Sequence, residues 1–139
     1  MVAARYLLDS NILSEPVRSR PESNVVERLL SSLDECVTAA PVLHELEFGV
    51  LRLAPSRKRS VLEKYLEQVV DRLPVLPYDV MAARWHARER ARLGKRGRSP
   101  AFVDGQIAAI ALAHGLTLVT RNVEDFASFR GLNVENWFS

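Results

Sequence analysis

The 139-residue chain has one cysteine, Cys36, which excludes an internal disulfide and a cysteine-built zinc site and fits a cytoplasmic location. Long hydrophobic runs are also missing. The longest, IAAIALA at 107–113, falls far short of the roughly 20 residues that a membrane span needs, and no signal peptide follows Met1. Repeats, low-complexity stretches and long linkers are absent, so the whole chain, 1–139, is expected to fold as one domain. Neither sign of charge dominates: 19 lysines and arginines against 17 acids give a net +2.

What is present is a soluble-protein composition, 47% hydrophobic and 26% charged, with an uneven distribution of charge. From Arg84 to Arg98 there are seven cations (Arg84, Arg88, Arg90, Arg92, Lys95, Arg96, Arg98) and one acid, Glu89. A second basic cluster lies at 57–59. Such tracts are more often solvated helix faces than binding sites when they stand alone.

Short apolar runs predict strands at 5–8, 35–39, 74–77, 117–120 and, more weakly, 132–134. Helical spacing predicts helices at 22–33, 41–53, 56–72, 79–93 and 100–114. Alternating strands and helices point to an α/β fold, a mostly parallel central sheet between helical layers. In such sheets sites form at the carboxyl ends of the strands. Asp9 follows the first strand, where it could be a helix cap or a site residue, and Asn122 and Asp125 follow the fourth.

Helix 100–114 is punctuated by Ser99 as N-cap, Pro100 at the first position and Gly115 beyond the end. That placement puts Asp104 in the second turn, in line with Ile107, Ala108 and Ala111 on a stripe facing the sheet. Helix 41–53 starts with Pro41, and its buried stripe of Leu43, Leu46, Val50 and Leu53 is flanked by Glu45 and Glu47. Periodicity does not choose between these two acids. Gly49 lies one turn after Glu45 and costs the helix about 1 kcal/mol relative to alanine, which favours Glu45 if something approaches the helix closely there.

If Asp9, Glu45, Asp104 and the Asn122/Asp125 pair converge, each pair of like charges costs roughly 1–4 kcal/mol at about 4 Å. The cluster then needs protons or a cation. An all-oxygen set suits Mg2+ or Mn2+, whereas zinc would prefer histidine and cysteine.

These residues carry a resemblance. LLDSNILSEP at 7–16, LHELEFGV at 43–50, VDGQIAAIALAHGLTLVTRNVEDF at 103–126 and NVENW at 133–137 together resemble a PIN-domain ribonuclease, a VapC-type toxin of a type II toxin–antitoxin pair, close to the FitB-like branch. The resemblance implies a PIN-like three-layer α/β/α fold and a Mg2+- or Mn2+-dependent endoribonuclease with Asp9, Glu45 and Asp104 as its acidic core. It selects Glu45, because the family's EL..G pattern falls on Glu45, Leu46 and Gly49. For the fourth site position it implies Asn122 or Asp125, with Asp125 as the charge donor. Ser10 replaces the family's usual threonine and keeps the hydroxyl.

In that reading Asp9, Glu45, Asp104 and Asp125 are the candidate metal ligands, and Arg92, Lys95, Arg96, Arg98 and Arg121 are the cations that would hold RNA phosphates. The resemblance further implies an inhibitory VapB-type antitoxin, a homodimer, and a toxin–antitoxin assembly on operator DNA. Helices 22–33 and 41–53 offer apolar surfaces for the dimer and antitoxin contacts. His44 is a poor candidate for a general base, since it points away from its neighbour Glu45. His86 and His114 read as surface or helix-end residues, and Trp85 and Trp137 as packing residues.

Other classes fit less well. A haloacid-dehalogenase-type phosphatase needs an aspartate where Asn11 stands, and a receiver domain needs a phospho-accepting aspartate where Pro77 stands. The remaining alternative is a non-catalytic PIN-fold module that binds RNA or protein.

Overall fold

Leu7, Leu8, Leu118 and Val119 are wholly buried, as strands covered on both faces of a parallel sheet must be. The computed structural model describes residues 3–138. Its strands are β1 (Tyr6–Leu8), β2 (Cys36–Ala39), β3 (Val75–Leu76), β4 (Thr117–Val119) and β5 (Val134–Glu135), in the order β3-β2-β1-β4-β5. Every pairing is parallel, with Leu7 in register with Val37 on one side and Leu118 on the other. The helices are α1 (Ser10–Leu13), α2 (Ser23–Ser31), α3 (Ala40–Leu51), α4 (Arg57–Gln68), α5 (Val80–Lys95), α6 (Phe102–Ala113) and α7 (Val123–Phe126). Among the described residues no helix is long and apolar enough to cross a membrane.

The first two crossovers run one way along the sheet, β1 to β2 to β3, and the third returns past β1 to β4. Right-handed connections therefore put α2, α3 and α4 on one face and α5 and α6 on the other. The direction reverses between β1 and β4, where an open α/β sheet forms a crevice. Both strands end there, at Leu8 and Val119, with Asp9 and Thr120 the next residues.

All five expected strands form, each within two residues of its predicted bounds. The helices differ in their ends. Segments 22–33 and 56–72 each close as a helix followed by a 3-10 turn, at Leu33–Glu35 and Val70–Arg72. The start of α6 departs further from expectation: Ser99 and Pro100 precede the helix, Ala101 is the N-cap and makes no side-chain cap bond, and Asp104 falls in the first turn. Ala101 is extended, with φ −55° and ψ 138°, and the helical ladder begins only with Gly105 N–H donating to Ala101 O at 3.1 Å. The other end follows the expected rule. Gly115 has φ +65°, and Leu116 N–H and Gly115 N–H donate back to Ala111 O and Leu112 O, a glycine-terminated Schellman closure.

Trp137 packs edge-on against Tyr6, ring centres 5.3 Å apart, under the guanidinium of Arg28. Trp85 faces Phe129, so both tryptophans are packing residues. His114 caps α6 and is exposed. His86 is a correction: it is 4% exposed, because its position on α5 faces α6 rather than solvent. Burial, aided by the charge of Arg90, lowers its pKa below the usual histidine value.

The basic tract also carries a buried anchor. The Glu89 carboxylate accepts two bonds from Arg92, at 2.6 and 2.7 Å, and one from Arg130 N–H at 2.6 Å, while Arg92 also donates to Ser128 O at 3.0 Å. These donors hold the Glu89 pKa below the usual carboxylate range. One carboxylate thus ties α5 to the turn after α7. Replacing Glu89 with alanine would strand these donors, and we expect urea unfolding to show a loss of about 3 kcal/mol, against less than about 0.5 kcal/mol for the exposed control Glu67→Ala.

Candidate active site

Asp9 reaches the crevice because β1 ends there and its N–H donates to Val119 O of β4 at 3.0 Å. Its carboxylate caps α1, Oδ1 accepting from Ser10 N–H at 2.8 Å. Oδ2 accepts from the hydroxyl of Thr120 at 2.8 Å. Cap and site residue are therefore compatible roles for one side chain. Thr120 in turn accepts from Asn122 N–H and from the Asn11 amide, and Asn11 Oδ1 accepts from Arg121 N–H. The ends of β1 and β4 are laced into one polar network, and Asp9 is 6% exposed within it.

Beside Asp9 opens a cleft of about 610 Å³, lined among others by Glu45, Asp104, Asn122, Ser10 and Asn11. Glu45 comes from α3 and is exposed, while Asp104 comes from the first turn of α6 and is half-buried. Glu47 faces a different hollow, with Glu63 and Asp71, which separates it from Glu45. Asp125, exposed on α7, lines a side opening with Arg98 and Asp104. Asn122 and Asp125 thus flank the acids from two directions.

Three further placements differ from expectation. A Cβ on Gly49 would meet nothing within 4 Å, so no close approach explains that glycine. It borders an open hollow of about 320 Å³ that shares Ser10 and Glu45 with the cleft. His44 also lines the cleft, its ring stacked at 23° on Phe48. Of the basic candidates, Arg92 is committed to Glu89, Arg121 covers the ring of Phe138 at 4.6 Å, and Lys95 and Arg96 are exposed at the end of α5. Arg98 borders the side opening that contains Asp104 and Asp125. Thr120 was missed by sequence reading; its signal was a hydroxyl ending the otherwise apolar stretch LVT.

Burial raises the pKa of Asp9, and the charges of Glu45 and Asp125 add to it, against the lowering effect of the bonds from Thr120 and Ser10. Asp104 has no such donors and is pushed up to about 6, first by burial and then by Asp125, Asp9 and Glu45. Four carboxylates from four elements therefore share one field. Among the described residues no three His, Cys, Asp or Glu side chains form a ready-made metal cage. An all-oxygen set with mutual repulsion and few close ligands fits Mg2+ or Mn2+, of which Mg2+ keeps several waters and takes one or two carboxylates.

The raised pKa of Asp104 fixes a sign. A carboxylate whose folded pKa lies above its unfolded value favours folding fully only below the unfolded pKa, and that contribution is lost as pH rises through about 6. In chelator-treated buffer near pH 7, Asp104→Asn should therefore stabilise the protein by on the order of 1 kcal/mol, discounted for partial exposure. The gain should vanish near pH 4, as followed by thermal unfolding.

Residues 6–132 match the model of the PIN domain family. Among curated proteins, the chain is 38% identical over 126 residues to Toxin FitB of Neisseria gonorrhoeae, covering 86% of this chain and 89% of that protein. It is 31% identical over 134 residues to the tRNA(fMet)-specific endonuclease VapC of Salmonella typhimurium, covering 96% and 98%. Among solved structures, that of FitAcB from Neisseria gonorrhoeae superimposes with a TM-score of 0.87 at 35% identity, covering 96% of this chain and 98% of that one. With a family model that matches most of its length and relatives of 31–38% identity over 86–96% of it, the chain belongs to the PIN domain family.

Proposed function

We propose that this PIN domain is a divalent-cation-dependent endoribonuclease and the toxin of a toxin–antitoxin pair. The observation that carries the reading is the convergence of Asp9, Glu45, Asp104 and Asp125, where burial first and neighbouring carboxylate charges second raise the pKa of Asp104 and Asp9. The relatives named a toxin and a tRNA endonuclease support it. Asp9 and Asp104 would be the main ligands of Mg2+ or Mn2+, with Glu45 and Asp125 of the candidate set completing the site around the waters the ion keeps. The ion would polarise the scissile phosphate, lower the pKa of a bound water and offset charge on the leaving oxygen.

The protein's own contribution is placement. Thr120 and Ser10 fix both oxygens of Asp9, so this carboxylate meets its ligand already ordered. Glu45, exposed at the cleft wall, is free to accept a proton from the attacking water. As that water adds to phosphorus, the bond from phosphorus to the departing nucleoside oxygen would break, and that oxygen would take up a proton from solvent to leave as a hydroxyl. Asn122 lines the same cleft and can orient a phosphate or water. Arg98 at the side opening, with Lys95 and Arg96 nearby in sequence, would hold flanking phosphates. Arg92 drops out of that set because Glu89 engages it.

The apolar surfaces expected on segments 22–33 and 41–53 are present: Leu30 on α2 is 60% exposed, and Phe48 and Leu51 on α3 are 58% and 60% exposed. They suit the dimer and the antitoxin in this reading. Assembly on operator DNA through the antitoxin is part of the same proposal.

The test is cleavage of an RNA pool by purified, antitoxin-free protein with Mg2+ or Mn2+. Asp9→Ala and Asp104→Ala should each lower the rate by about 100-fold or more while the far-ultraviolet spectrum stays native. RNA binding should weaken steeply with added salt as phosphate contacts release counterions. Metal-independent cleavage, or cleavage unchanged in both variants, would refute the proposal.

A further inference from the structure

α6 brings Asp104 to the cleft although its first turn has no side-chain cap: Ala101 makes none, and Ser99 and Pro100 lie before the helix. Something else must fix where that turn stands. Two side chains of α5 meet it: Arg90, whose guanidinium lies 5.2 Å over the Phe102 ring, and the buried His86, which makes the closer approach. The imidazole lies 4.9 Å, centre to centre, from the ring of Phe102. It is also so close to Gly105 that a Cβ there would sit 2.1 Å from Nε2, 2.7 Å from Cδ2 and 2.9 Å from Cε1. On its other side Nδ1 is hydrogen-bonded to the Tyr78 hydroxyl at 2.8 Å, and Tyr78 lines the acidic cleft.

Phe102 and Gly105 bracket Asp104 in sequence. We infer that His86 is a positioning residue for the acidic site, a wedge between Tyr78 and the first turn of α6 that sets where Asp104 stands relative to Asp9 and Asp125. The inference rests on the reading that Asp104 helps hold the metal.

Three features separate this from ordinary core packing. The slot exists only because residue 105 has no Cβ, and glycine is retained there although it costs a helix about 1 kcal/mol relative to alanine. Gly49, where a Cβ would be free of contacts, shows that helical glycine in this chain does not always mark such a slot. A buried ring nitrogen is also given a specific partner, Tyr78, so the ring has one favoured orientation rather than the several open to an aliphatic side chain. Finally, the contact falls on the turn that carries the acid, where small displacements change ligand geometry most directly.

The test uses the full chain and Mn2+ as the probe. Mn2+ affinity by calorimetry and RNA cleavage kinetics are compared for wild type, His86→Ala, His86→Asn, Gly105→Ala and the His86→Ala/Gly105→Ala pair, with circular dichroism to establish folding. His86→Ala should weaken Mn2+ binding and lower kcat by about tenfold or more, with KM for RNA within about twofold. His86→Asn, whose amide can keep the bond to Tyr78, should recover part of both. Gly105→Ala should resemble His86→Ala because its methyl expels the ring, and combining the two should add little.

Folded His86→Ala with Mn2+ affinity and kcat within about twofold of wild type would overturn the inference and leave the nuclease reading intact. If Gly105→Ala does not fold, the two His86 variants decide the matter. Failure of the wild type to bind Mn2+ would overturn the metal reading and this inference together.

Discussion

The hydrogen bond from Thr120 to Asp9 joins the ends of β1 and β4, and the geometry of the acidic cleft depends on it. A carboxylate 6% exposed would ordinarily take up a proton or be excluded from such a position. Here two donors, Thr120 and Ser10, oppose that tendency without overcoming it, and the pKa stays above the usual carboxylate range. The parallel sheet makes this possible. It brings two strand ends side by side at the one place where the crossovers diverge, leaving room above them for α3 and α6 to deliver further acids.

The acids are individually tolerable and collectively unfavourable. Asp104 shows the cost most clearly, with a pKa near 6 and no donor to relieve it. The fold maintains this arrangement with contacts remote from the chemistry. The Glu89 carboxylate clamps α5 to the turn behind α7, and the buried His86 seats the first turn of α6. Both lie on α5, within the tract that in sequence looked like a run of surface cations.

The legible parts of the molecule were those that depend on local pattern. Strand positions followed from short apolar runs between helical stretches, and the end of α6 from Gly115. Asp9 and Asp104 stood out because one follows a strand and the other lies in line with a helix stripe that faces the sheet. Local pattern left Glu45 and Glu47 undivided, and only the family resemblance selected Glu45. Long-range contacts were not legible. Thr120 acts on a residue 111 positions away, and the slot for His86 is formed by a glycine on another helix. The start of α6 was misplaced for a related reason: Ser99 and Pro100 have favourable capping chemistry, yet the helix begins where Phe102 can pack on His86. Arg92 could not be told from its neighbours, since only the fold shows that Glu89 binds it.

The central claim is that this cluster of carboxylates is built to be neutralised by a cation. Calorimetric titration of Mn2+ into chelator-treated, antitoxin-free protein near pH 6, repeated in buffers of different ionisation enthalpy, tests it directly. The account predicts binding accompanied by proton release, because Asp104 is partly protonated there and must ionise to act as a ligand, and loss of that binding in Asp9→Ala. No binding by the folded wild-type protein, or binding and proton release unchanged in Asp9→Ala, would contradict it.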